Sequence, residues 1–181
     1  GTWWDGNSFH LYHHLYQKEF HTPSESDAIS SIRSLLSTAV EKRVETTERP
    51  IGCLLSGGLD SSVICALVNQ CTKKKTGKPV HTFSIGFEGS TDCRYARIVA
   101  EHLGTVHHEV IVTPQMMIDA IPEVVRAIES YDTTTVRAST PMYLLCKYIS
   151  QNTDIKVIFS GEGSDELSGS YLYFHHAPSA G

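Results

Sequence analysis

The chain contains no run of apolar residues that approaches the roughly 20 needed to cross a bilayer. It also begins without the basic and apolar segments of a secretory signal. Basic residues are not in excess, since 15 Lys and Arg stand against 20 Asp and Glu and the net charge is −5 at pH 7. We therefore expect neither a membrane partner nor a nucleic-acid partner.

Paired cysteines are also missing. The chain has five cysteines, an odd number, and no Cys-x-x-Cys pair. Three of them lie within strongly apolar segments, which is typical of reduced, buried thiols in a cytoplasmic protein. The sequence shows no internal repeat and no low-complexity tract, so repeat architectures and disordered chains are unexpected.

What is present fits one domain of ordinary size. The 181 residues are 40% hydrophobic and 19% charged, as in a soluble globular protein. Residues 1–27 are rich in aromatics and histidine and end in a polar stretch. We expect this segment to be a tail or linker with a strand remnant, and residues 28–181 to form the folded domain.

Short apolar runs alternate with helical patterns along the domain. The predicted strands are 51–55, 80–86, 107–112 and 156–159. The predicted helices run from residue 26 or 27 to about 43, from 63 to about 68, from 92 to 103, from 114 to about 130 and from about 140 to 151. A solvated basic loop is expected over 73–79. This alternation predicts an α/β fold with a mainly parallel sheet flanked by helices.

The run Ser56-Gly57-Gly58-Leu59-Asp60-Ser61-Ser62 directly follows the first predicted strand. Its glycines allow the backbone to approach a ligand, and its N–H groups with the next helix N-terminus favour an anion. The run contains no lysine, so it is not a Walker loop. Asp60 would repel phosphate oxygens unless a hard cation such as Mg²⁺ lay between them. The alternative is an ordinary glycine turn capped by serines.

A second polar segment, Ser160 to Glu166, directly follows the last predicted strand. Its two glycines and three carboxylates again suggest phosphate oxygens held together with a metal ion. Taken alone, the segment could equally be a solvated acidic turn. Ligands of such folds bind beyond the carboxyl ends of the strands, where both segments should lie.

Residues Ser56 to Ser62 resemble the signature of the PP-loop ATP pyrophosphatases, which cleave ATP between the α and β phosphates. Within that superfamily, further stretches resemble the asparagine synthetases, and the match covers about residues 28–178. These stretches are 82–86 with Asp92, 129–139, and 160–166 with 171–175. The resemblance implies an adenine-nucleotide alpha-hydrolase-like fold and, from 51–55 and 157–159, an animal-type relative.

The resemblance also implies roles for single residues. Those expected to hold pyrophosphate are Ser56, Gly57, Gly58, Ser61 and Ser62. Those expected to contact adenosine are Leu55, Ile85, Ser160 and Gly161. Mg²⁺ would bind Asp60 and Asp165, while Glu162 and Arg137 would face the reacting aspartate and its adenylate. All of these residues lie within the matched stretches or at their edges.

The implied reaction is ATP-dependent asparagine synthesis. Aspartate attacks the α-phosphorus of ATP to give β-aspartyl-AMP, and ammonia then displaces AMP. In the family the ammonia comes from glutamine, through a glutaminase domain that this sequence lacks, and the full-length enzyme is expected to form a homodimer. The chain also lacks the later part of the synthetase domain, which carries a lysine that acts on the adenylate.

Ser170 stands where the family has glycine, so a strained or rearranged turn is expected there. Two alternatives to asparagine synthesis remain open. One is a related adenylating enzyme with another carboxylate substrate, of the β-lactam synthetase type. The other is a non-catalytic ATP-binding fragment.

Overall fold

The computed structural model describes residues 1–12 and 23–176. It forms two units, one up to Leu36 and one from Ser37 onward. Its elements are β1 (Thr2–Trp4), β2 (Phe9–Leu11), α1 (Glu25–Thr46), β3 (Ile51–Leu54), α2 (Leu59–Thr76), β4 (His81–Gly86), α3 (Thr91–Leu103), β5 (Val106–Ile111), α4 (Pro114–Ile128), α5 (Thr133–Asn152), β6 (Val157–Phe159), α6 (Ser164–Ser168) and a 3₁₀ turn (Leu172–His176). In the described ranges, no helix is long and apolar enough to span a membrane.

The first unit contains a short antiparallel hairpin. Strands β1 and β2 pair so that Trp3 lies opposite His10. The tail expected over residues 1–27 therefore includes a strand pair, although residues 13–22 lie outside the described part. The last five residues of the domain expected over 28–181 lie outside it as well.

The second unit contains a sheet of four parallel strands in the order β5-β4-β3-β6. All four predicted strands are present, and the prediction of a mainly parallel sheet flanked by helices is confirmed. The chain builds outward from β3 to β4 and β5, and then returns to the other side of β3 to add β6. The strand order therefore reverses between β3 and β6.

Alternating side chains of the strands bury both faces of this sheet, as expected for parallel strands covered by helices. On one face, Cys53 and Leu55 pack with buried residues of α1, α2 and α3. On the other face, Phe83 packs with Leu145 and Ile149 of α5. The sheet is thus held rigid from both sides, which fixes where its strand ends lie.

Helix α5 begins well before the predicted start near Thr140. The Asp132 carboxylate accepts a hydrogen bond of 2.8 Å from the Thr135 N–H and caps the helix at Thr133. The prediction was wrong because threonine-rich segments have low helix propensity. Pro141 also favoured the later start, because proline is typical of the first turn of a helix. In the structure Pro141 lies in the interior of α5.

The basic segment at the end of α2 is helical as far as Thr76, so the loop predicted over 73–79 was wrong for residues 73–76. The helix continues to Thr76 and ends at Gly77, which adopts a left-handed φ of 71°. The Lys75 ammonium donates to the carbonyl oxygens of Val44, Glu45 and Thr47 at 2.8, 3.1 and 2.7 Å. These carbonyls lie at and just beyond the end of α1, where helices leave acceptors unpaired. Hydropathy alone does not reveal such a partner.

Lys75→Met should lower the free energy of unfolding by about 1 kcal/mol, because three acceptors lose their shared cationic donor. The matched control is Lys74→Met, because the Lys74 ammonium pairs with the exposed Glu41 carboxylate at 3.4 Å. Such exposed pairs contribute little, so that change should be near neutral. Urea unfolding of both variants measures the difference, and equal effects would contradict the proposed role of Lys75.

Candidate functional site

A cavity of about 310 Å³ opens at the carboxyl ends of β3 and β6, where the strand order reverses. Ligands of open parallel sheets bind at such a reversal, as predicted for this chain. The sequence-predicted site residues that line the cavity are Leu55, Ser56, Asp60, Ser61, Ile85, Ser160, Gly161, Glu162 and Asp165. The structure thus brings together residues from both polar segments and from β4.

The first loop, Ser56 to Ser62, is held by its own hydroxyl groups. The Ser61 hydroxyl lies 3.0 Å from the Ser56 hydroxyl and also accepts from the Ser56 N–H at 3.2 Å. The Ser62 hydroxyl donates to the Gly58 carbonyl oxygen at 2.6 Å, and Ser62 does not line the cavity. Part of the predicted phosphate-binding set therefore shapes the turn.

The two glycines of the first loop have different structural roles. Gly57 has a φ of 84°, and a Cβ there would come within 2.5 Å of the Ala96 nitrogen, so the loop packs directly on α3. Gly58 is the N-cap residue of α2 and has no side chain that could accept a hydrogen bond from the first N–H groups of that helix. Neither glycine lines the cavity, but the uncapped N-terminus of an 18-residue helix is a favourable place for an anion.

The second loop touches the first through the backbone at Gly161. A Cβ at this position would come within 2.7 Å of the Ser61 nitrogen and 2.8 Å of the Asp60 carbonyl carbon. Real side chains do not tolerate such distances, so only glycine lets the two loops approach this closely. The approach places the Asp60 and Asp165 segments on the walls of one cavity.

The second loop continues into α6, whose acidic side chains have local partners. The Ser170 hydroxyl donates to the Asp165 carboxylate, and the Tyr171 hydroxyl donates to the Glu166 carboxylate at 2.6 Å. The bond to Glu166 raises the pKa of Tyr171 to about 12, so Tyr171 is protonated at neutral pH.

At Ser170, where a strained or rearranged turn was expected, the backbone does not adopt a positive φ. The positive φ of 65° belongs to Gly169 instead, and in the described residues Glu129 is the one non-glycine residue with a positive φ. The neighbouring glycine therefore supplies the conformation, and Ser170 is free to use its hydroxyl on Asp165.

The cavity also has an apolar side that the sequence analysis only partly predicted. Leu54 and Phe83 line it with Leu55 and Ile85, and α5 adds Met142 and Leu145. An apolar wall beside a polar end suits a ligand with a flat base and a charged tail. The contribution of α5 was missed because helical residues far along the chain carry no local signal of this contact.

The charge of the cavity is one-sided. Its lining includes the carboxylates of Asp60, Asp92, Glu162, Asp165 and Glu166, and no lysine or arginine from the described residues lies among them. Asp92 was predicted as a helix start and belongs to a stretch that resembles the asparagine synthetases, but it was not among the predicted site residues, although it follows β4 at the same sheet edge. These carboxylates would repel an anion unless cations entered with it.

The donor chemistry fits a hard divalent cation. Carboxylate oxygens are the ligands that Mg²⁺ prefers, and Mg²⁺ usually takes one or two of them together with phosphate oxygens and water. In the described part of the chain, no three His, Cys, Asp or Glu side chains converge into a metal cluster by themselves. The arrangement therefore suits a cation that arrives with a phosphate ligand.

Arg137 does not line this cavity. It lies on α5 and lines a separate, mostly apolar groove of about 440 Å³ between α4 and α5, together with Tyr131 and Ile118. Its predicted role beside Glu162 stays a prediction. The segment around Arg137 was singled out only by its resemblance to a family.

The family model and the curated proteins that are similar to this chain carry closely matching descriptions. Residues 31–181 match the family model described as asparagine synthase. Asparagine synthetase [glutamine-hydrolyzing] from Bos taurus is 54% identical over 151 residues, covering 83% of this chain and 27% of that protein. The Homo sapiens protein of the same name is 53% identical with the same coverage. The chain thus spans about a quarter of the length of these relatives.

Solved structures with a similar fold are more distant in sequence. The NMN synthetase from Francisella tularensis has a TM-score of 0.51 at 18% identity, covering 80% of this chain and 59% of that chain. The NAD⁺ synthetase from Burkholderia pseudomallei has a TM-score of 0.52 at 13% identity, covering 80% and 57%. At these identities the likeness concerns the fold alone.

Gly161→Ala should separate the two loops, because its methyl group would collide with backbone atoms that cannot rotate away. We expect a loss of about 1–3 kcal/mol in unfolding free energy and faster amide exchange at Ser61. Gly58→Ala is the matched control, since a Cβ there meets only the Ser56 hydroxyl oxygen at 3.5 Å. Equal stability and equal exchange at Ser61 in both variants would show that the loops do not depend on this contact.

Proposed function

The chain belongs to the asparagine synthase family, and on that premise we propose that it is the ATP-binding part of an asparagine synthetase. It would bind ATP in the cavity between the two loops, where aspartate is activated to β-aspartyl-AMP with release of pyrophosphate. Ammonia would then convert the adenylate to asparagine and AMP. The enzyme is an ATP-dependent carbon–nitrogen ligase in this proposal.

The observation that carries the proposal is the pairing of the two loops at the reversal of strand order. The uncapped start of α2 offers N–H groups to an anion, and the apolar side of the cavity offers a surface to a base. A nucleoside triphosphate has both parts. The lack of a lysine in the first loop distinguishes the site from a Walker-type site, whose lysine reaches the β and γ phosphates.

The chain's own residues would act on the two ends of ATP. Leu55 and Ile85, with Ser160 and Gly161, would contact the adenosine part, while the loop from Ser56 to Ser62 would hold the departing pyrophosphate. The β-carboxylate oxygen of aspartate forms the new bond to the α-phosphorus as the bond to the β-phosphate oxygen breaks. Backbone N–H groups aimed at the leaving group stabilise the charge that develops there.

Asp60 and Asp165 would hold the Mg²⁺ ion, a role that is supported by the position of both carboxylates in the lining of the cavity. A bound Mg²⁺ ion would supply neutralisation of the phosphate charge. Without such a cation, the five carboxylates of the cavity would oppose a polyphosphate. Glu162, from the same loop as Asp165, would face the reacting aspartate. Arg137 would also face the aspartate and would place a positive charge near its carboxylate.

The remaining features of the proposal concern the longer protein. Ammonia would come from glutamine through a glutaminase domain. In support, the names of the relatives describe those proteins as glutamine-hydrolyzing. A homodimer and a cytoplasmic location are part of the proposal. The location is consistent with the cysteines, since Cys53, Cys65, Cys71, Cys93 and Cys146 are all unpaired thiols.

Addition of aspartate to the protein with Mg²⁺ and ATP should release pyrophosphate, because only an acid that attacks the α-phosphorus expels it. A coupled pyrophosphate assay with and without aspartate measures the reaction. Release only with another carboxylic acid would favour an enzyme of the β-lactam synthetase type. Binding of ATP without any release would indicate a non-catalytic nucleotide-binding chain and contradict the proposal.

Asp60→Ala should remove the Mg²⁺-dependent part of ATP binding and weaken the affinity by roughly tenfold or more, about 1.4 kcal/mol. The reason is that one of two carboxylates expected to hold the cation is lost. Calorimetric titration with ATP, in the presence of Mg²⁺ or of EDTA, measures this dependence. Asp154→Ala is the control, since Asp154 is exposed and lies outside the cavity lining. Unchanged Mg²⁺ dependence in Asp60→Ala would overturn the metal assignment.

A further inference from the structure

A histidine of β5 is enclosed by hydroxyl groups directly behind one wall of the cavity. The His107 Nδ1 atom lies 2.9 Å from the Thr82 hydroxyl oxygen, and its Nε2 atom lies 3.2 Å from the Ser84 hydroxyl oxygen. Thr82 and Ser84 belong to β4 and are buried, with exposures of 0% and 4%. Both ring nitrogens therefore bond to groups that can either donate or accept.

The far end of this hydrogen-bond chain favours one direction. The Thr82 hydroxyl oxygen lies 2.9 Å from the Thr105 hydroxyl oxygen, and the Thr105 hydroxyl donates to the Ala100 carbonyl oxygen at 3.4 Å. When the Thr105 proton goes to this carbonyl oxygen, which can only accept, Thr82 donates to Thr105 and its own oxygen accepts a proton from His107 Nδ1.

This direction selects one tautomer of His107. With the proton on Nδ1, the Nε2 atom carries a lone pair and accepts the hydroxyl proton of Ser84. A neutral ring is consistent with the surroundings. Burial lowers the pKa of His107, the Glu109 carboxylate opposes this shift, and His108 and Arg97 add to it. Glu109 itself is held by Arg97 in an ion pair of 2.8 Å.

The last link of the chain reaches the cavity. Ser84 and the next residue, Ile85, line it, whereas His107 does not. We propose that His107 is a positioning residue for the nucleotide: its Nδ1–H tautomer accepts the Ser84 proton and so holds the Ser84–Ile85 segment in place as a wall for the base. This inference rests on the proposed function, in which the cavity binds ATP.

Two substitutions of His107 separate its two hydrogen bonds. In His107→Asn the amide occupies the Nδ1 position, so the bond to Thr82 is kept and the bond to Ser84 is lost. In His107→Gln the amide reaches the Nε2 position, so its oxygen can still accept the Ser84 proton. We expect about tenfold weaker binding of Mg²⁺–ATP for His107→Asn, with His107→Gln close to the unsubstituted protein.

Ser84→Ala completes a double-mutant cycle. It should weaken Mg²⁺–ATP binding as much as His107→Asn does, and the double variant should show no additional loss, because both changes remove the same bond. His102→Asn, on the exposed end of α3, controls for the exchange of histidine for asparagine. Calorimetric titration gives the affinities, and thermal unfolding shows whether any loss merely follows lower stability.

The outcomes distinguish this inference from the function on which it rests. No Mg²⁺–ATP binding by the unsubstituted protein would overturn the proposed function and this inference with it. Binding that is retained in His107→Asn, or lost equally in His107→Gln, would overturn the inference alone. The ¹⁵N spectrum of the imidazole provides a test without ATP: a protonated Nδ1 and an unprotonated Nε2 at neutral pH are expected, and the opposite tautomer would refute the assignment.

Discussion

The close approach of Gly161 to the Asp60–Ser61 backbone is the contact on which the candidate site depends. The two loops leave the sheet from adjacent strands, β3 and β6, so their starting points are set by the register of the parallel pairing. The gap between Gly161 and the Asp60–Ser61 backbone is too narrow for a methyl group. Because this spacing is set by backbone, the carboxylates of the two loops share a cavity without needing any side-chain contact between them.

Several parts of this arrangement are predictable from sequence for a physical reason. Strands buried in a parallel sheet are often near-continuous apolar runs, and the carboxyl ends of such strands meet at one edge of the sheet. Two glycine-rich acidic segments that follow two such runs were therefore expected together, and Ser56, Asp60, Glu162 and Asp165 do line one cavity. Start and stop signals of helices were equally local: Pro114 begins α4, and Gly104 ends α3 with a left-handed φ of 61°.

The features that sequence reasoning missed depend on contacts between distant segments. Lys75 reaches carbonyl oxygens at the end of α1, and nothing near Lys75 in sequence indicates that partner. The hydroxyl chain around His107 joins residues of β4 and β5 with Thr105, which directly precedes β5, and the sequence around each residue does not indicate its partners. A sequence motif gives the residues of a turn but not the groups that they contact. It therefore did not predict how the first loop is shaped by Gly57, Gly58 and Ser62.

The sign of the cavity's charge sets a further condition on the proposed chemistry. Aspartate has two carboxylates, which a cavity lined by five carboxylates and by no lysine or arginine of the described residues would repel, whereas the same lining would favour its α-ammonium group. A cation held by Asp60 and Asp165 would neutralise part of the negative charge of the ATP phosphates. Little of its positive charge would then remain to attract a second anion. The acid substrate therefore needs its own positive partner. Arg137, in the groove between α4 and α5, is the residue that the family resemblance offers for this purpose. Its guanidinium can bind a carboxylate through two parallel hydrogen bonds, which an ammonium group cannot do.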